Sequence, residues 1–144
     1  MSEVERLDGY RRRLLWLSLV SIVLWLGGDL LARLLAQAEA APVLRKIALL
    51  VAVPASFVWG YHLIQVVRFN RRVAEDPALS EALNDELTRF ARTRGWVVGF
   101  WSMLAVQAPL LFAGMPAELG ARLTILVGVT ASLAGYLRAA RATG

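Results

Sequence analysis

Four apolar runs alternate with polar segments along the chain, and their lengths set the fold class. Residues 14–32, 47–67, 96–115 and 119–137 are each apolar over 19 to 21 positions, with few interruptions. About 20 residues at 1.5 Å rise per residue cross a hydrocarbon core of about 30 Å, so each run is long enough to span a bilayer. The pattern predicts an all-α polytopic membrane protein, with four transmembrane helices in two hairpins forming a four-helix bundle and residues 1–144 making a single membrane domain. Between the hairpins lies the only long stretch too polar for lipid, residues 68–96, RFNRRVAEDPALSEALNDELTRFARTRGW.

That middle stretch predicts a cytoplasmic helix over residues 77–94. Asp76 stands at the N-cap position, Pro77 at the first helical position and Gly95 at a weak point before the third span. Leu79, Leu83, Leu87 and Phe90 recur at spacings of four, four and three, which draws one apolar stripe. Glu81, Asp85 and Glu86 fall in the first half and Arg89, Arg92 and Arg94 in the second, an order that complements the helix dipole, and Asp85 to Arg89 is an i, i+4 pair. A stripe this narrow beside so charged a face belongs on the inner membrane surface or against a partner. Within the spans, Pro54 and Pro109 each remove one backbone hydrogen bond and predict kinks. Gly120, Thr124, Gly128 and Ser132 recur every four residues and are followed by Gly135, a helix-packing stripe that lets two backbones approach, either within the chain or across a homodimer.

Composition agrees with the pattern: 58% hydrophobic residues and a mean hydropathy of +0.55 describe a chain whose solvent is a bilayer. A net charge of +5 would otherwise point to nucleic acid, but the basic residues are distributed as topology signals, so no direct nucleic-acid partner is expected. Twelve of them flank one side of the spans, while only Arg33, Arg45, Lys46 and Arg122 flank the other. The positive-inside rule then places both termini and the polar helix in the cytoplasm, at a bacterial inner membrane. Tyr10, Trp16, Trp96 and Tyr136 fall near that inner boundary, as interfacial aromatics do. The basic start and first apolar run also resemble a secretory signal, with small-residue steps at Ala36 and Ala38, but Gly27, Gly28, Asp29 and Arg33 separate those steps from the apolar core.

Candidate chemistry is sparse. Cysteine is absent and His62 is the only histidine, so thiol catalysis, disulfides, thiolate metal sites and a multi-histidine metal or haem site within one chain are excluded. No nucleophile, acid and base constellation and no Gly-rich phosphate loop is present, so neither an enzyme nor a cofactor or metal is expected. The intramembrane polar candidates are Asp29, Arg33, Arg122, His62, Gln65 and Gln107. A carboxylate within a span is costly and invites a functional reading. Counted from Leu14, Asp29 lies about 22 Å from the inner boundary, with Arg33 one turn further and Arg122 entering from the outer side to a similar depth. The three are expected to cluster at the outer rim, as an ion pair fastening two spans or as an anion or proton site. His62, Gln65 and Gln107 are each expected to hydrogen-bond to a neighbouring helix, and Trp25, Trp59 and Trp101 to serve as core or lipid-facing bulk.

Asn84-Asp85-Glu86-Leu87-Thr88-Arg89, followed by Gly95-Trp96 and Gly99-Phe100-Trp101, resembles small prokaryotic four-span membrane proteins of uncharacterised activity, in which an acidic D-E-x-T-R-like stretch directly precedes the third span. Such proteins are often encoded beside a small helix-turn-helix regulator, so the resemblance implies a regulatory or partner-binding role. Two functions are therefore expected. The first is a membrane adaptor or regulator whose cytoplasmic helix docks a protein partner through Leu79, Leu83, Leu87 and Phe90, oriented by Asp85, Glu86 and Arg89. The second is a small homo-oligomeric transporter or channel with Asp29, Gln107 and His62 along a path bent by Pro54 and Pro109.

Overall fold

The computed structural model describes residues 3–39, 41–83 and 86–142, without the side chains of Glu86, Leu111, Arg141 and Ala142. All regular structure in it is helical. Helix α1 runs Glu3–Gln37, α2 Pro42–Glu75, α3 Pro77–Leu83, α4 Glu86–Phe112 and α5 Ala117–Ala142. Three of these, α1, α2 and α5, are long and apolar enough to cross a membrane. The helices overrun the apolar runs because arginine, glutamate and alanine are good helix formers, so a change of polarity does not end a helix. Thus α1 begins well before Leu14, with Glu3 and Glu5 in its first turn facing the positive end of its dipole.

The cytoplasmic helix expected over 77–94 is described in two parts, and residues 84 and 85 between them lie outside the described residues. Its first half is the seven-residue α3, and its second half is the start of α4, continuous with the third apolar run. Asp76 caps α3 as expected: its Oδ1 accepts from the backbone N–H groups of Ala78 and Leu79 at 3.0 and 3.2 Å. Gly95, expected as a weak point, lies buried inside α4. The turn between α4 and α5 covers residues 113–116, with Gly114 at φ +58.

The long helices form an open row and not the closed four-helix bundle expected. Helix α2 lies on α1, α1 on α5 and α5 on α4, while α2 and α4 make no extended contact among the described residues. Small residues set the two tight pairs. A Cβ on Gly28 of α1 would lie 3.0 Å from the Ala48 carbonyl oxygen and 3.1 Å from Ala52 Cβ of α2, and Ala32, Ala48, Ala52 and Ala55 are buried along that seam. Trp25 and Trp59 add a tilted ring contact across the same pair, with centroids 5.2 Å apart, and Trp101 is exposed on α4. In lipid no water-driven force closes the row, so helices associate only where shape and hydrogen bonds allow.

Helices α1, α2 and α3 meet at the end of the molecule where the basic residues lie. Leu83, at the end of α3, is 3% exposed and packs in a cluster with Leu14, Phe69 and Val73, flanked by Val4, Leu7 and Val66. Tyr10 and Phe69 support it with ring centroids 5.9 Å apart. On the other side of this end, Ala91 of α4 is buried with Ala139 and Ala140 of α5, against Tyr136.

Candidate functional site

The residues singled out by sequence fall into three places. At the end opposite the basic one, Asp29 and Arg33 of α1 meet Arg122 and Glu118 of α5. Asp29 Oδ2 accepts from Arg122 Nη1 at 2.6 Å and from Arg33 Nε at 3.0 Å. Glu118 Oε1 accepts from Arg33 Nη1 at 2.9 Å and from Arg122 Nη2 at 3.0 Å. Helical geometry dictates the pairing: Asp29 with Arg33 and Glu118 with Arg122 are i, i+4 neighbours, and the two couples cross over between helices. Two acids and two arginines make a neutral latch in which each acid meets both arginines. Glu118 was not picked out by sequence, because it was placed in the turn; its spacing of four from Arg122 was the available signal.

The latch is partly solvent-accessible, with Asp29 20% and Arg122 32% exposed at their side chains. Its worth therefore falls between the roughly 0–1 kcal/mol of a surface pair and the 3–5 kcal/mol lost when a buried pair is broken. Asp29→Asn is expected to cost about 1–3 kcal/mol, because it leaves the exposed Glu118 as the one carboxylate between two guanidinium groups across α1 and α5. Thermal unfolding in detergent reads this directly. An unchanged midpoint would show that the latch carries no load.

Along the α4–α5 pair, Gln107 Nε2 donates to Thr124 Oγ1 at 2.7 Å, and Thr124 donates on to the Gly120 carbonyl at 2.8 Å. The small-residue stripe on α5 lies inside the chain at this seam. A Cβ on Gly128 would run into Cγ and Sδ of Met103, and one on Gly135 would meet Val98 Cβ at 3.2 Å. The complementary surface is Gly95 and Gly99 of α4: a Cβ on Gly95 would lie 2.8 Å from the Ser132 carbonyl oxygen. His62, on α2, is buried, and its Nδ1 makes no hydrogen bond, contrary to the expected contact with a neighbouring helix. Gln65 is half-buried one turn along. Asp29, Gln107 and His62 thus sit on different helix pairs, and none of them lines the cavity at the basic end.

The basic end carries the remaining candidates. The expected stripe of Leu79, Leu83, Leu87 and Phe90 is divided. Leu83 is internal and Leu79 half-buried on α3, whereas Leu87 and Phe90, on α4, are 50% and 53% exposed. The first two leucines face the chain's own core, where Leu83 packs with Leu14, Phe69 and Val73, and the last two do not. Asp85 lies outside the described residues and Glu86 is described by its backbone alone, while Arg89 is exposed.

Arg11, read from sequence only as a topology signal, organises this end. Its Nη1 donates to the Leu83 carbonyl at 2.9 Å, and Nη2 to Asp8 Oδ1 at 2.6 Å and to Thr88 Oγ1 at 3.4 Å. A cation at the last carbonyls of α3 satisfies acceptors that a helix end leaves open, and it complements the dipole there. Asp8 also holds Arg12 Nε at 2.7 Å.

No protein family, curated protein or solved structure matches this chain. The fold itself defines the class: an all-helical protein with three candidate membrane-spanning helices, which suggests a multi-pass membrane protein.

Proposed function

We propose that this is a four-span adaptor or regulator of the bacterial inner membrane, with both termini in the cytoplasm, which docks a protein partner at the start of α4. The fourth span is α4 from Trp96 onward, paired along its length with α5. The reading is supported above all by the placement of Leu87 and Phe90. They are half exposed on a helix continuous with the membrane segment, about 14 and 9 Å beyond Trp96 toward the basic end at 1.5 Å per residue. Apolar side chains at that height stand clear of the hydrocarbon core, with Arg89 and Arg94 on the same stretch. The partner they fit is an apolar helix face bordered by acidic residues.

Leu87→Glu combined with Phe90→Glu is the test, since neither position belongs to the core. A stoichiometric protein that co-purifies from native membranes with the wild type is expected to be lost from the double variant. Retention of that protein would remove Leu87 and Phe90 from the interface. A homo-oligomer with no partner in either sample would favour the transport reading, and solute flux in an Asp29→Asn variant would be measured next.

A further inference from the structure

A cleft of about 530 Å³ opens at the basic end between α2 and α4, floored by α1 and α5. That volume falls within the roughly 300–1,000 Å³ of sites that hold small ligands. Its deeper wall is apolar, since Leu15, Val66 and Leu133 all belong to spanning runs. Above that wall, neutral polar groups gather at one level. Asn70 stands three residues past the end of the second run, Trp96 is the first residue of the third and Tyr136 the last but one of the fourth. Three helices thus bring an amide, an indole N–H and a phenol to the inner boundary together.

The groups left unengaged select the occupant. Both arginines on the wall are committed within the chain, Arg11 to Asp8, Thr88 and the Leu83 carbonyl, and Arg92 to a partner of its own. By contrast, the side chains of Asn70, Trp96 and Tyr136 make no hydrogen bond to another described residue. What the cleft offers a ligand is therefore hydrogen bonding without charge. Asn70 belongs to the α2 wall and Trp96 to the α4 wall, with Tyr136 on the α5 floor, so an occupant needs acceptors on more than one edge. The rings of Phe69, Trp96 and Tyr136 favour a flat one. An apolar wall below them takes a tail.

We propose that this cleft binds a membrane quinone, an uncharged flat ring with a carbonyl on each of two opposite edges and an apolar tail. The ring lies at the level of Asn70, Trp96 and Tyr136, whose amide, indole N–H and hydroxyl donate to its oxygens. Its tail runs along Leu15, Val66 and Leu133 into the hydrocarbon. This site is separate from Leu87 and Phe90 and does not depend on a protein partner.

The full-length chain in mild detergent, titrated with decylubiquinone and followed by native mass measurement, tests this. The comparison probe is monodecanoylglycerol, which is neutral and carries a similar alkyl chain but no ring. One decylubiquinone per chain is expected to bind, about tenfold more tightly than the glycerol ester. Tyr136→Phe keeps the ring and removes the hydroxyl, and is expected to weaken binding about fivefold, the share of one net hydrogen bond. Tyr61→Phe makes the same change at an exposed position of α2 outside the cleft and is expected to change nothing. Ala74→Trp, which fills the cleft from an exposed position, is expected to abolish binding. No binding of decylubiquinone, equal binding of both probes, or equal loss in the Tyr61 and Tyr136 variants would overturn the proposal. If Ala74→Trp does not fold by circular dichroism, the comparison of Tyr136 with Tyr61 still decides.

Discussion

Gly99→Leu is expected to part α4 from α5. A Cβ at this position would lie 2.7 Å from Ser132 Cβ and 2.9 Å from the Gly128 carbonyl oxygen, so even the first added atom meets the body of the opposing helix. Flexible side chains can step aside, but a backbone carbonyl moves only with its helix. Overpacking of this kind costs about 1–3 kcal/mol, occasionally more. The upper end applies here, because close backbone approach is itself what holds membrane helices together. Gly27→Leu serves as the matched control, since nothing lies within 4 Å of its Cβ position. Unfolding in a denaturing detergent titration should show a clear loss for Gly99→Leu and little for Gly27→Leu. Similar losses for both would mean that the seam is not the source of stability.

Leu83→Glu should release α3. The side chain is 3% exposed among Leu14, Phe69 and Val73, and an ionised carboxylate there would be desolvated among apolar side chains, while Arg11 is engaged at the backbone carbonyl and with Asp8. A seven-residue helix has almost no stability of its own, so undocking is the cheaper response. That response limits the cost to roughly the 2–5 kcal/mol of a large-to-small core change. The expected signature is faster limited proteolysis between α2 and α4, by more than tenfold, with the membrane helices intact. Leu83→Met, of similar volume, should protect almost as well as leucine. Proteolysis at the wild-type rate in the glutamate variant would place Leu83 outside the core.

The helical class and the approximate apolar runs were legible because length and hydropathy report directly on lipid. Helix ends were less so: hydropathy marks where lipid stops, and α1 and α2 continue several turns beyond it on residues that favour helix in water as well. The spacing of Leu79, Leu83, Leu87 and Phe90 draws one stripe but does not say which of its members the chain's own core covers, which is why the burial of Leu83 beside an exposed Leu87 escaped detection. Gly95 carries a similar ambiguity, since glycine weakens an isolated helix yet permits a close crossing. Half of the α4–α5 seam was visible as the α5 stripe, and the other half was hidden by reading Gly95 as a breaker. Depth arithmetic was enough to join Asp29, Arg33 and Arg122. What it lacked was Glu118, whose helix starts one residue before it. Arg11 could not be told from its neighbours Arg12 and Arg13, because only the folded chain brings the Leu83 carbonyl to it.

The unbroken course of α4 has a mechanical meaning. From Phe90 to Gln107 the helix is a strut of about 25 Å with no hinge, since Gly95 is clasped by α5 and Pro109 comes later. A push delivered at Phe90 cannot be absorbed locally. Its tilt would be felt at the Gln107–Thr124 hydrogen bond, which ties the far end of this lever to α5.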